Sequence, residues 1–195
     1  MNTLIFATNN QHKVDEVRQV LGNQFAIITL QEAGIDIDIP EPHDTLEANA
    51  SEKSSTIQQL TGKNCFSEDT GLEISFLKGA PGVKSARFAG EDRSFKANIE
   101  KVLLLMADTT ERQAQFRTVI SLQLDGEEFQ FEGICKGEIL EEERGEKGFG
   151  YDPIFIPTGS KLSFAEMNPE QKNACSHRKK AMDKLIAFLK NYTIV

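Results

Sequence analysis

Asp125-Gly126 is the strongest short-range fold signal in this chain. It separates two runs, residues 115–124 and 127–135, that read as extended. An Asp-Gly pair between such runs marks a two-residue hairpin, whose twist requires positive φ at both turn positions. An antiparallel pair of strands is therefore built in. Elsewhere strand and helix patterns alternate. Leu4-Ile5-Phe6-Ala7 reads as a buried strand, a polar run follows, and Val14, Val17 and Leu21 then share one helical face ahead of Gly22, a C-cap glycine. Residues 25–30 form a second strand candidate. Asp44 or Thr45 can cap a helix that runs to about Leu60, before Gly62, with Leu46, Ala50, Ile57 and Leu60 inward. Residues 65–67 and 72–77 read as two strands divided by Glu68-Asp69-Thr70-Gly71, residues 78–90 as loop and residues 97–106 as helix. Ser163 with Glu166 suits a capping box, and Ser176 can open a last helix with Ala181, Leu185, Phe188 and Leu189 inward. Helices between strands, plus a hairpin, predict an α/β fold with a mixed sheet and flanking helices.

A chain of 195 residues is one domain, with room for two lobes. Its net charge of −8 argues against a general nucleic-acid binder, whose affinity comes from neutralising phosphates. The excess is uneven: residues 170–195 hold six basic and two acidic side chains, so a small anion can still be bound. Cys65, Cys135 and Cys175 form neither a CxxC pair nor a zinc spacing, which suits reduced thiols in the cytoplasm. The apolar start is too short for a signal peptide, and no run approaches the ~18–20 apolar residues of a membrane span.

Four segments carry residues suited to chemistry. Thr8-Asn9-Asn10-Gln11-His12-Lys13 lies between a buried strand and a helix, where outward N–H groups and the helix dipole bind anions, phosphate especially. It is neither a Walker loop nor GxGxxG, and a plain polar connection is the competing reading. In Ser67-Glu68-Asp69-Thr70-Gly71 two adjacent carboxylates follow a buried strand, costly unless they bind a cation or are well hydrogen-bonded. A hard divalent ion takes one or two carboxylates plus phosphate oxygens, and Glu41, pinned between Pro40 and Pro42, is a third carboxylate; an Asp-Thr-Gly turn with exposed acids is the alternative. Lys172 and Ser176-His177-Arg178 set cations at a helix start, where they oppose the dipole unless a ligand compensates. Phe149 and Tyr151 alternate with Gly148 and Gly150 beside Asp152, offering a stacking face for a base. His12, His43 and the run Glu141-Glu142-Glu143 read by themselves as solvated surface.

The six segments Thr8 to Lys13, Ser67 to Leu72, Gly79-Ala80-Pro81-Gly82-Val83, Ser85-Ala86-Arg87, Phe149-Gly150-Tyr151-Asp152-Pro153 and Ser176-His177-Arg178 stand in one order and spacing. With them the chain resembles the inosine triphosphate pyrophosphatase family over about residues 4–181. That family hydrolyses deaminated purine nucleoside triphosphates (ITP, dITP, XTP) to the monophosphate and pyrophosphate. The resemblance implies an elongated mixed sheet with two lobes around a substrate cleft, a homodimer and dependence on Mg2+. It implies that Thr8, Asn9, Asn10, Gln11, His12, Lys13 and Lys53 hold the triphosphate, and that Glu41 and Asp69 bind the metal, with Glu68 a further candidate. Asp69 would also activate water. Thr70 would touch substrate, and Phe149, Gly150, Tyr151, Asp152, Lys172, His177 and Arg178 would hold the base and nearby groups. Three residues depart from the family pattern. Asn9 stands where many members have Gly, Glu68 where Asp is frequent, and Lys84 where an aromatic is common. The rival readings are a nucleotide-binding sensor without turnover and a pyrophosphatase for modified pyrimidine triphosphates.

Overall fold

Residues 3–21 and 26–192 are described by the computed structural model. Along them run β1 (Thr3–Phe6), α1 (Gln11–Leu21), β2 (Ala26–Thr29), α2 (Leu46–Thr61), β3 (Cys65–Ile74), β4 (Pro81–Gly82), α3 (Phe95–Leu105), β5 (Gln113–Leu124), β6 (Glu127–Ile139), β7 (Phe155–Pro157), α4 (Pro169–Cys175) and α5 (His177–Asn191). The strands make one mixed sheet in the order β2-β1-β3-β5-β6-β7, with β4 on β3. β1 lies parallel to β2, Leu4 opposite Ile27, and parallel to β3, Phe6 opposite Phe66. β4 and β7 add antiparallel pairs to β3 and β6. The fold is the mixed α/β sheet with flanking helices that the sequence pattern predicts. The hairpin falls where expected: Asp125 and Gly126 have φ of 53° and 91°.

The residues gather into two compact units. One takes residues 1–69, 118–133 and 178–195. Its β1 is buried on both faces, as a parallel strand between helices must be. Leu4 and Phe6 join Val14, Val17, Phe66, Ile120, Leu122, Met182 and Leu185, while Ile5 and Ala7 join Leu30, Ile57 and Cys65. The other unit takes residues 70–117 and 134–177. Its core packs Leu72, Ile74, Ile99, Val102, Met106, Phe116, Phe155 and Phe164.

α2 follows its sequence signals closely. The Thr45 hydroxyl accepts the N–H of Ala48 at the start, and Gly62 closes the end at φ 64°. Leu60, expected inward, is 59% exposed, because the buried stripe runs through Leu46, Asn49, Ala50, Lys53, Ser54 and Ile57 instead. Ser163 and Glu166 do exchange reciprocal hydrogen bonds of 2.7 and 3.2 Å. They close a turn, however; the helix begins at Pro169, with Asn168 and Gln171 forming its capping box. The C-cap expected at Gly22 and the start of the second strand at Phe25 lie outside the described residues.

The largest departure is β3. Two strands with a turn between them are expected, but one strand of ten residues passes straight through Glu68-Asp69-Thr70-Gly71. The turn reading treats the two acids as solvated. Every charge on this stretch is instead neutralised from the side, and a paired carboxylate can stay in a buried strand. Gly71 serves a close approach: a Cβ there would meet the Gly82 carbonyl oxygen at 2.7 Å.

Candidate active site

Successive residues of a strand face opposite sides of the sheet, so β3 sends its two adjacent carboxylates in opposite directions. Glu68 points to the α1 and α5 side. Its carboxylate accepts Nε and Nη2 of Arg178 at 2.8 and 2.9 Å and lies 3.2 Å from Lys13 Nζ. Arg178 also binds Glu16 through Nη1. Glu68 and Arg178 are almost wholly buried. Burial alone would raise the Glu68 carboxyl, but Arg178 and Lys13 outweigh it and bring the pKa down to about 2. Burial likewise works against the Arg178 cation, and the charges of Glu68 and Glu16 more than offset it.

A pH dependence follows. Relative to its ordinary value of 4.5, the lowered Glu68 pKa contributes stability that is complete above about 4.5. That contribution falls away as the pH drops toward about 2. It amounts to roughly 3 kcal/mol. Acid unfolding followed by circular dichroism should steepen across this window, and Glu68→Gln should remove that part of the slope while lowering stability at neutral pH.

Asp69 points to the other side, toward α2. Lys53 Nζ sits between it and Glu41, 3.0 Å from Asp69 Oδ1 and 2.7 Å from Glu41 Oε1. Burial raises the Asp69 carboxyl above its ordinary value; Lys53 and Lys13 pull it down, and the Glu41 charge pushes it further up. Burial would lower the Lys53 ammonium, but Asp69 and Glu41 reverse that and raise it. The first unit thus gathers Lys13, Glu41, Lys53, Glu68, Asp69 and Arg178. Asn49, one helical turn before Lys53, was not singled out from sequence. Its carboxamide reaches Asp69 Oδ2 at 3.4 Å and both backbone polar groups of His43. Its signal was a polar residue on an otherwise inward stripe of α2.

The same unit carries the loop from Thr8 to Asn10. The Thr8 hydroxyl oxygen accepts the N–H of Asn10 at 3.2 Å, and Asn10 Oδ1 accepts the N–H of Lys13 at 3.3 Å, so Asn10 caps α1. Asn9 is drawn toward the Ile37 carbonyl at 2.9 Å, Gln11 pairs with Asp15, and His12 is exposed. First-turn N–H groups at such a start attract anions.

In the second unit, Asp152 is the organiser. It is buried and accepts both the Phe149 N–H at 2.9 Å and Lys172 Nζ at 2.7 Å. The same ammonium lies 5.2 Å from the centre of the Phe149 ring and 5.3 Å from that of Phe164. Gly148 has φ 76°, and a Cβ there would collide with the Asp152 carboxylate, so only glycine fits. Tyr151 donates its hydroxyl to the Ser85 carbonyl at 2.8 Å; the Ser85 hydroxyl accepts the Leu72 N–H at 2.8 Å and donates to Gly82. Phe95 stands beside Phe149, ring centres 6.2 Å apart. His177 stacks on Phe116 at 4.7 Å. Gly150 has φ 60°, Thr70 lies half-buried on β3, and Lys84 precedes the short turn at Ser85–Arg87.

Arg178, which the resemblance sets among the residues that hold the base and nearby groups, gives Nε, Nη1 and Nη2 to Glu68 and Glu16 inside the first unit and is 2% exposed. Sequence places it at a helix start and says nothing of the carboxylates opposite. Glu68, in turn, is held by that guanidinium.

The mixed α/β sheet thus carries opposed buried carboxylates on β3 and, in the same unit, a helix start capped by Asn10. The model of the Ham1 family matches residues 4–188, and the chain belongs to that family. A dITP/XTP pyrophosphatase of Porphyromonas gingivalis is 49% identical over 190 residues, 97% of this chain and 98% of the relative. Another, of Christiangramia forsetii, is 45% identical over 186 residues, 95% and 98% of the two chains. Among solved structures, a HAM1 protein from Coxiella burnetii superposes with a TM-score of 0.90 at 35% identity, covering 98% of this chain and 100% of that one. The Ham1 protein of Staphylococcus aureus gives 0.88 at 40% identity, covering 97% and 98%.

Proposed function

We propose that the chain is a nucleoside-triphosphate diphosphatase that cleaves deaminated purine nucleoside triphosphates (ITP, dITP, XTP) to the monophosphate and pyrophosphate, removing them from the nucleotide pool. The observation that carries this reading is the Glu41–Lys53–Asp69 cluster on a Ham1-family fold, beside the capped start of α1. The family relatives named above support the activity and the substrate class.

Glu41 and Asp69 suit Mg2+. Both meet one ammonium, so their oxygens already converge on a single positive charge. Among the described residues no group of three or more His, Cys, Asp or Glu is placed to hold an ion; Mg2+ typically takes one or two carboxylates and completes its shell with water and substrate phosphate. When bound, the ion neutralises phosphate charge and polarises the phosphoryl group under attack. Asp69 takes the proton of the attacking water. Lys53 holds Asp69 and Glu41 in place. Lys13 and the residues from Thr8 to His12 hold the phosphates. No Ser, Cys or His nucleophile enters the reaction.

Phe149, Gly150, Tyr151, Asp152, Lys172 and His177 hold the base, with Thr70 contacting substrate. Asp152 keeps Lys172 against the Phe149 ring, a fixed donor for the keto oxygen of a deaminated purine. Adenine offers a donor at that position, and a buried donor left unpaired costs about 1–3 kcal/mol. Arg178 acts by holding Glu68. One catalytic domain over the 195 residues is part of the same proposal. A homodimer and a cytoplasmic location belong to the same proposal and rest on the resemblance; no helix among the described residues is long and apolar enough to cross a membrane.

Pyrophosphate release with Mg2+ from ITP, dITP, XTP, GTP, ATP and modified pyrimidine triphosphates tests the reading. ITP and XTP should exceed ATP in kcat/KM by tens- to thousands-fold. Binding without release would favour a sensor, and preference for a pyrimidine would move the substrate class. Lys13→Ala should raise the KM for ITP about tenfold while lowering kcat less, because a phosphate contact is lost from ground and transition states alike. An unchanged KM would remove the 8–13 loop from the phosphate site.

A further inference from the structure

We infer that Asn49 is a positioning residue that fixes the Glu41 loop and the Asp69 carboxylate to one another; the inference rests on the reading of that carboxylate pair given above. Asn49 is 1% exposed on the inward stripe of α2, a place where an apolar side chain would pack more cheaply. Its carboxamide bonds in three directions. Oδ1 accepts the His43 N–H at 2.9 Å and Nδ2 donates to the His43 carbonyl at 3.0 Å. Nδ2 also reaches Asp69 Oδ2 at 3.4 Å.

The two bonds to His43 close both polar groups of a backbone unit two residues past Glu41. Pro40 and Pro42 fix φ on either side of Glu41, so the anchorage at His43 is passed to the Glu41 backbone with little slack. The third bond selects one Asp69 oxygen and leaves the other, Oδ1, to Lys53. One side chain therefore sets where the Glu41 carboxylate comes from and how the Asp69 carboxylate is turned. Groups that orient ligating carboxylates in this way change metal affinity or activity by about 10–100-fold when removed.

Asn49→Ala and Asn49→Asp are compared with Glu41→Gln. Mn2+ serves as the probe, its binding to the nucleotide-free protein read from loss of the free-ion EPR signal. Turnover is read by pyrophosphate release from ITP, and folding by thermal melting. Asn49→Ala should bind Mn2+ about 10–100-fold more weakly and lose kcat by a similar factor, with the KM for ITP within about threefold because the 8–13 loop is untouched. Asn49→Asp is near-isosteric and keeps the acceptor for the His43 N–H, so it remains informative if the alanine variant does not fold; it loses both donations and should still lower kcat at saturating metal. Parent-like Mn2+ affinity and kcat in both variants, whatever their melting temperatures, would show a merely structural asparagine and overturn the inference. If Glu41→Gln is equally silent, the carboxylate pair is not the metal site and the reading beneath fails. If Glu41→Gln weakens both readouts and the Asn49 variants do not, only the inference about Asn49 fails.

Discussion

Asp69→Asn should be folded and almost inactive, with kcat for ITP at least 10²–10⁴-fold below the parent. The substitution keeps the volume and the ability to accept from Lys53 Nζ, which lies 3.0 Å from Asp69 Oδ1. It removes the only feature that lets this position take a proton, and it removes a charge from a site meant to hold a cation. The fold has little reason to suffer, since burial already disfavours the Asp69 carboxylate. Lys53 also keeps Glu41 as a partner at 2.7 Å. Substrate affinity should stay within about tenfold, because the phosphate loop is separate from this side chain. Single-turnover kinetics and a melting curve decide the matter together. Activity above a tenth of the parent value would take the role of base away from Asp69.

Arg178→Ala should show the opposite pattern: a badly destabilised protein whose surviving activity keeps its preferences. The guanidinium compensates Glu68, whose side chain has no solvent exposure, and Glu16. Removing one partner of a buried pair leaves an uncompensated charge and costs about 3–5 kcal/mol. For a chain of this size that corresponds to a fall in Tm of roughly 6–20 °C. ITP and ATP turnover should decline by the same factor per folded molecule. Had Arg178 read the base, the ratio of the two would collapse while Tm stayed put. A collapse of that kind would return it to the base site.

Local patterns were legible where they decide local structure. The Asp125-Gly126 turn, the caps of α2 at Thr45 and Gly62, and the polar start of α1 are all visible in short windows. Most residues of the candidate site were named from motifs in the chain. What the sequence hid was which charges face each other. Arg178 and Glu68 are separated by 110 positions, and Arg178 and Glu16 by 162, so no window contains both members. Without its partners Glu68-Asp69 looks like a turn, and nothing near Arg178 in the chain points to the buried carboxylate it meets. Asn49 carries little local signal for a related reason, since its meaning lies in the backbone of His43 and in Asp69, not in its own neighbours.

The alternation of β3 also limits what mutation can do to the chain's length. Inserting a single residue just before Ser67 would send every side chain after it to the opposite face of the strand. Glu68 would then stand in the place of Asp69, facing Lys53, and Asp69 would return to the Arg178 side two residues, roughly 6–7 Å, beyond the place Glu68 now holds. Every amino acid would still be present, and the site would still be lost. A deletion there would put Asp69 in the place of Glu68, a methylene short of the Arg178 guanidinium, and Glu68 in the place of Ser67. Point substitutions around this strand can be graded by chemistry, whereas a one-codon insertion or deletion sends both acids to the wrong face at once. Evolution along this segment is therefore confined to replacement, and natural length variation in such chains is expected in the loops that β3 does not count through.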